Sequence, residues 1–557
     1  MLLLHIQIQI KGMLRIAFLI LTVGFIFKGH TQAVLSKNDR PKLVVGIVVD
    51  QMRYDYLTRF DTSFGSGGFK RISKEGFQYK NAHFNYIPTY TGPGHASVYT
   101  GTTPFNHGII ANNWYDKTAK TKVYCVEDTL VNAVGSTSKF DKMSPRRMKT
   151  TSFADQNRMH TQMRGKTIGI SLKDRGAILP AGHTANAAYW FRGRDEGQWI
   201  TSSYYMDILP QWVQKFNASG TIKSYLKTWD TMVDSEQYSA SGIDENMYEA
   251  GFKGKEKAVF PYELAALAEE NGGFDILKAT PYGNSLTTDF AIAALEGEGL
   301  GLDNDTDVLA VSFSSTDYIG HNFGVNSKEV QDAYVRLDKD LERLLIALDK
   351  KVGVGNYTVF LTADHGAVNV PAYLNALKIP AGYFDLMQFS EQLNAQLTEK
   401  YGVQGLVESV SNGQIFFNYA LVKEKELNHS HLQKYTAEYI LAYPKVDKAY
   451  TRNQMLGSTY QFGVPALLQK GFNQKRSGDV LFVLDPATIT YSKKGSTHGS
   501  GSSYDTHAPL LFFGKGIQKG SSVEKVFITD IAPTISSLLR IEFPNGTTGT
   551  VLKEVLK

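Results

Sequence analysis

A single cysteine, Cys125, in 557 residues excludes an intramolecular disulfide, so stability has to come from a buried core and bound groups. Its neighbours Val123, Tyr124 and Val126 read as a strand, where a lone cysteine packs as a small apolar residue and carries no chemistry. Charge of one sign is also missing. The 59 Lys and Arg against 54 Asp and Glu leave +5, too weak an imbalance to imply a nucleic-acid partner or an anionic membrane. No internal repeat or low-complexity tract is evident, which sets aside a repeat architecture. Beyond the N-terminus there is no long apolar run, so no membrane span is expected in the mature chain.

The N-terminus is different. Met13-Leu14-Arg15 leads into an apolar run over 16–27, the length of a signal-peptide hydrophobic region and short of the roughly 20 residues that cross a bilayer. Thr31-Gln32-Ala33 supplies a small-x-small cleavage site, so 1–33 reads as an export signal, with Met13 a candidate true start.

With 42% hydrophobic and 12% aromatic residues, the remainder can bury a large core. The near-continuous β-branched run 43–49 is the pattern of a strand buried on both faces in a parallel sheet, and it ends at Asp50. The same construction returns at 308–313, leading to Asp317, and at 357–362, leading to Asp364-His365. Between these two, Asn326 with Glu329 three positions on predicts a helix start, and Val330, Tyr334, Leu337, Leu341, Leu344 and Leu348 follow at helical spacing. Strand, helix and strand make a right-handed crossover. The fold class is therefore α/β, with a mostly parallel central sheet flanked by helices. Segments 40–185, 286–372 and 486–557 form the core; 186–285 and 373–485 lack the strand-helix rhythm and read as insertions capping the sheet edge.

In open parallel sheets the C-terminal edge of the strands is where ligands bind. Asp317 and His321 lie four apart, and Asp364-His365 directly follow a strand. Either pair alone is commonplace, because loop Asp and His usually cap or hydrogen-bond. Together with Asp50 and His498 they make three Asp and three His, enough for two metals with three protein ligands each. Mixed imidazole and carboxylate ligation with an open position suits catalytic zinc, although ligand type alone leaves manganese open. Two such metals stabilise the attacking and leaving oxygens of an in-line phosphoryl displacement.

The run from Tyr86 through Thr91-Gly92-Pro93-Gly94-His95 passes from extended chain into a helix that tolerates Pro93 in its first turn. A hydroxyl there is expected to be exposed, and the helix N-terminus favours negative charge on it. Thr91 is the candidate nucleophile; the bland alternative is an ordinary threonine N-cap.

These residues resemble the alkaline phosphatase superfamily across nearly the whole mature chain, specifically its monomeric, phosphate-irrepressible bacterial members with a threonine nucleophile. The resemblance rests on Val48 to Arg53, the Thr91 segment, His107-Gly108 to Asp116, Ser171 to Arg175, Ser315 to Gly324, Ala363 to Gly366 and Thr497 to Gly499. It implies two zinc ions per chain: Asp317, His321 and His498 would hold one, beside the leaving oxygen, and Asp50, Asp364 and His365 the other, beside Thr91. It also implies a phosphothreonine intermediate, and phosphate-oxygen contacts from Asn112, Lys173 and Arg175. If 173–175 is extended, Lys173 and Arg175 share one face. His95 and His507 match no ligand position and are expected to be structural.

The expected substrates are small-molecule phosphate monoesters over a broad range, acted on by a monomer in the periplasm. A nucleotide pyrophosphatase or phosphodiesterase shares the six ligands and the threonine, but Lys173 and Arg175 argue against it. A sulfatase would need a Cys or Ser where Thr91 stands. A non-catalytic metal- or phosphate-binding surface protein would have little reason to keep all six ligands with Thr91.

Overall fold

A computed structural model describes residues 40–194 and 197–557; the export signal read over 1–33 lies outside them. Strand β1 (Leu43–Val49) is buried at every position. The other strands of its eleven-stranded sheet that exceed three residues are, in chain order, β2 (Phe77–His83), β3 (Thr167–Ser171), β4 (Ala187–Arg192), β5 (Gln198–Ser202), β6 (Asp307–Phe313), β7 (Tyr357–Thr362) and β8 (His507–Gly514). Their order across the sheet is β2-β8-β7-β1-β6-β3-β4-β5. The five central strands from β7 to β4 run parallel. Strand β8 on one side and β5 on the other join antiparallel, so the sheet is mixed at its margins. Among the described residues no helix is long and apolar enough to cross a membrane.

Register brings the ends of the central strands level. Val49 pairs with Phe313, Val48 with Thr362, and Ser312 with Ser171, so the residues just beyond β1, β6, β7 and β3 emerge along one edge. Four helices matter to that edge: α1 (Thr91–Thr100), α2 (Asp174–Ala181), α3 (Ser315–Phe323) and α4 (Lys328–Leu348). The predicted stripe of α4 is buried throughout. Its start differs from the expected cap. Ser327 Oγ accepts from the Val330 backbone N–H at 3.1 Å, while the Asn326 amide donates to Asn369 instead. Glu329, expected to close a capping box, is fully buried and accepts from the Tyr262 hydroxyl at 2.5 Å.

The segment 186–285 does not begin as a cap, since β4 and β5 near its start extend the central sheet. Aromatic side chains conceal them in the sequence: Trp190, Phe191 and Trp199 are buried core, and Trp199 stacks on Phe290 with centroids 4.2 Å apart. The segment 373–485 carries a separate four-stranded antiparallel sheet ending at Val480–Leu484, with its own core around Phe389, Leu393, Phe417 and Phe482.

Candidate active site

Asp50 follows β1, Asp317 and His321 lie on α3 just after β6, Asp364 and His365 follow β7, and Lys173 follows β3. His498 comes from a loop before β8 whose Gly495 and Ser496 N–H groups bond to the carbonyls of Tyr248 and His321. Level strand ends thus gather side chains separated by hundreds of residues. Asp317, His321 and His498 form one set whose ligand atoms lie within 4.8 Å of one another; Asp50, Asp317 and His365 form a second. Asp317 belongs to both. Asp364 is adjacent, its Oδ2 lying 3.5 Å from His365 Nε2.

The histidines are prepared for a metal. His321 Nδ1 lies 2.7 Å from the Ser496 carbonyl, His498 Nδ1 2.7 Å from the Thr89 carbonyl, and His365 Nδ1 3.0 Å from the Gly366 carbonyl. A carbonyl only accepts, so each Nδ1 carries the hydrogen and each Nε2 keeps its lone pair for a cation. Burial keeps His365 and His498 neutral, as ligation demands. Asp50 Oδ1 and Asp364 Oδ2 are buried without a hydrogen-bond partner, which is costly unless a cation faces them. The donor set therefore fits metal cations.

The carboxylates divide the local charge unequally. Burial, then the neighbouring Asp317 and Asp364, pushes Asp50 well above the usual carboxylate range. Burial also acts to raise Asp317, but His321 and Lys173 hold it well below that range. The Lys173 ammonium donates to Asp50 Oδ2 at 2.7 Å and to Asp317 Oδ2 at 2.5 Å, and these two carboxylates keep it protonated against burial.

Thr91 is the first residue of α1 and Tyr90 is its cap, so the ordinary N-cap role does not apply. The hydroxyl is not exposed as the sequence suggested; the residue is only 1% accessible, because α1 packs directly on the metal-ligand loop. A Cβ on Gly94 would sit 2.3 Å from the Asp364 carbonyl oxygen, so this approach requires glycine. Thr91 Oγ1 lies 3.5 Å from His365 Nε2. Asn112 Oδ1 accepts from the Gly92 N–H at 2.7 Å, which leaves its amide N–H groups to donate elsewhere. Cys125 lies behind this segment, fully buried, with burial raising its thiol to about 12.

Lys173 and Arg175 are not on an extended strand. Lys173 caps α2 and Arg175 sits in its first turn, yet both line one cavity of about 230 Å³ with Tyr124, Lys278 and Tyr318. Arg175 donates to the Tyr124 hydroxyl at 3.0 Å, and its Nε is buried without a partner. His95, on α1, turns its ring toward Asp364, with Nδ1 2.9 Å from the Thr91 carbonyl and 3.3 Å from Asp364 Oδ2. His507 is remote from the ligands, stacked between Tyr54 and His83.

Residue-by-residue reading of the sequence missed Gln51. Its left-handed backbone (φ 64°) turns its N–H to Asp364 Oδ1 at 3.1 Å, while its side-chain amide donates to Asp317 Oδ1 at 2.7 Å. Opposite it, a Cβ on Gly320 would lie 1.9 Å from Gln51 Oε1. Gln51 thus orients a carboxylate of each proposed zinc site. Gln51→Ala is expected to weaken zinc binding by roughly 10- to 100-fold in competition with a chromophoric chelator; unchanged affinity would refute that role.

The family model for type I phosphodiesterase / nucleotide pyrophosphatase matches residues 44–508. A protein of Myroides odoratus named as a calcium-transporting ATPase is 44% identical over 94% of this chain and 96% of its own. Alkaline phosphatase PafA of Elizabethkingia meningoseptica is 42% identical over 93% of this chain and 95% of its own. The crystal structure of PafA superposes with a TM-score of 0.90 at 41% identity, covering 93% of this chain and 99% of that one.

Proposed function

Because the chain belongs to the type I phosphodiesterase / nucleotide pyrophosphatase family, within the alkaline phosphatase superfamily, we propose that it hydrolyses monoesters through Thr91 at a two-zinc centre. The enzyme is an alkaline phosphatase. One observation carries the finer reading: three histidines with their Nδ1 atoms tied to carbonyls, and three buried carboxylates, stand around the N-terminus of the helix that Thr91 begins.

Two zinc ions held by Asp50, Asp317, His321, Asp364, His365 and His498 would supply Lewis acidity toward the attacking and leaving oxygens. The chain's own groups do the rest. The N-terminus of α1 favours negative charge on Thr91 Oγ1, which loses its proton and attacks phosphorus. The P–O bond to the alcohol breaks, leaving phosphothreonine, and the departing alkoxide takes up one proton from solvent, balancing the one that Thr91 gives up. Lys173, Arg175 and the Asn112 amide donate to the non-bridging oxygens, where a monoester carries one more negative charge than a diester. Water then cleaves the phosphothreonine, releasing phosphate and restoring the hydroxyl, with retention at phosphorus after two inversions.

Export to the periplasm, action as a monomer and a broad range of small-molecule monoesters complete the proposal. Support for export is the apolar run behind Arg15 and the Thr31-Gln32-Ala33 site. The test is kcat/KM of the zinc-loaded mature protein on an aryl phosphate monoester and on its methyl diester. A monoester preference of at least about a hundredfold is expected, since a single charge-directed donor is worth that much. A preference for the diester would make the chain a phosphodiesterase.

A further inference from the structure

In the reading above, the oxygen that leaves with the alcohol faces the set of Asp317, His321 and His498. The remainder of the substrate must therefore pass beside those side chains. Bordered by His498 is a cavity of about 350 Å³ between the end of the central sheet and the 373–485 segment. Its core wall includes Ile87, Tyr90 and Val368, its other wall includes Phe482 and Leu484, and Ile489, just past the 373–485 segment, also lines it. Two features connect it to the chemistry. His498 is part of its lining, and Tyr90, the residue before Thr91, stands edge-on to the His498 ring at 5.6 Å and 77°.

The lining also defines what fits. Among the described residues no lysine or arginine lines this cavity, and its carboxylic side chains are Asp485 and Asp505. The cavity on the phosphate side, by contrast, carries Lys173, Arg175 and Lys278. An anionic leaving group would meet carboxylates and no cation here, whereas an uncharged ring would meet aliphatic and aromatic walls. The volume is within the range of small-molecule pockets.

We infer that this cavity receives the alcohol portion of the substrate and favours monoesters of uncharged aromatic alcohols over those of small or charged ones. This rests on the phosphatase reading and deepens it. The test compares 1-naphthyl, ethyl and 4-carboxyphenyl phosphates in the wild type, in Ser411→Trp, which fills the cavity from the 373–485 wall, and in Ile489→Ala, which enlarges it. Comparing each ester across the variants cancels its intrinsic reactivity. The wild type is expected to favour 1-naphthyl over 4-carboxyphenyl phosphate, whose leaving groups are of similar acidity but differ in charge. Ser411→Trp should lower kcat/KM for 1-naphthyl phosphate about tenfold and leave ethyl phosphate within about twofold, one methylene-sized contact being worth 10-fold or more. Ile489→Ala should change the naphthyl-to-ethyl ratio with ethyl turnover intact.

Calorimetric titration of the zinc-loaded protein with 1-naphthol gives a readout independent of turnover: wild-type binding that Ser411→Trp abolishes. A naphthyl-to-ethyl ratio unaltered in both variants, or naphthol binding equal in wild type and Ser411→Trp, overturns the pocket. Absence of monoester turnover in the wild type overturns the phosphatase reading instead, while the titration still decides the cavity.

Discussion

Replacing Thr91 with alanine is expected to lower kcat/KM on an aryl phosphate by roughly three orders of magnitude or more, the scale on which loss of a covalent nucleophile is felt. It should also abolish phosphate trapped on the protein. The fold gives the mutation little else to disturb. Thr91 is the first residue of α1, where alanine is at least as good a helix former, and the close contact of α1 with Asp364 runs through Gly94. Among the proposed ligands Thr91 Oγ1 meets His365 Nε2, at 3.5 Å, and the three imidazoles stay tied to the carbonyls of Ser496, Thr89 and Gly366 without it. Zinc content should stay near two per chain. Acid quenching after mixing with labelled substrate separates the outcomes: label retained on Thr91→Ala sinks the assignment, and label restored by Thr91→Ser supports a hydroxyl nucleophile. Chelating the wild type provides the paired control, with activity lost and then recovered on adding zinc.

What could be read from the sequence follows from which interactions are local. A strand buried on both faces writes itself as a β-branched run, so β1, β6 and β7 were legible together with the carboxylates at their ends. Register is a property of paired strands, and it decides that those ends are level. The failures came where a distant partner overrides local pattern. Asn326 had the right chemistry for a cap, but Ser327 is better placed and Asn369 claims the Asn326 amide. Lys173 and Arg175 share a cavity through a helix start, not through strand alternation, because Asp50 and Asp317 draw the lysine inward.

Glu329 read as the capping-box residue of a helix start. Instead it is buried near Glu249, and burial holds both carboxyls above their ordinary range. Gln51 gave no local signal at all, since its role depends on Asp317 and Asp364, each more than 260 residues away.

The Lys173→Ala, Arg175→Ala double variant should separate monoesterase from diesterase activity. Loss of one preorganised donor to a charged transition state costs about 10²- to 10³-fold, so the pair should lower kcat/KM on a monoester by roughly 10³-fold or more. A methyl diester lacks the extra negative charge and should lose less than about tenfold. Lys173 complicates the reading, because it also bonds Asp50 and Asp317 and so balances the charge of the ligand cluster. Arg175 has no such contact; its guanidinium donates to the Tyr124 hydroxyl. Arg175→Ala alone should therefore show the monoester-selective loss with zinc content unchanged, while Lys173→Ala alone should add a change in zinc affinity. Equal losses on both esters, with zinc released, would mean that Lys173 acts by holding the carboxylates together. The preference for monoesters would then need another source.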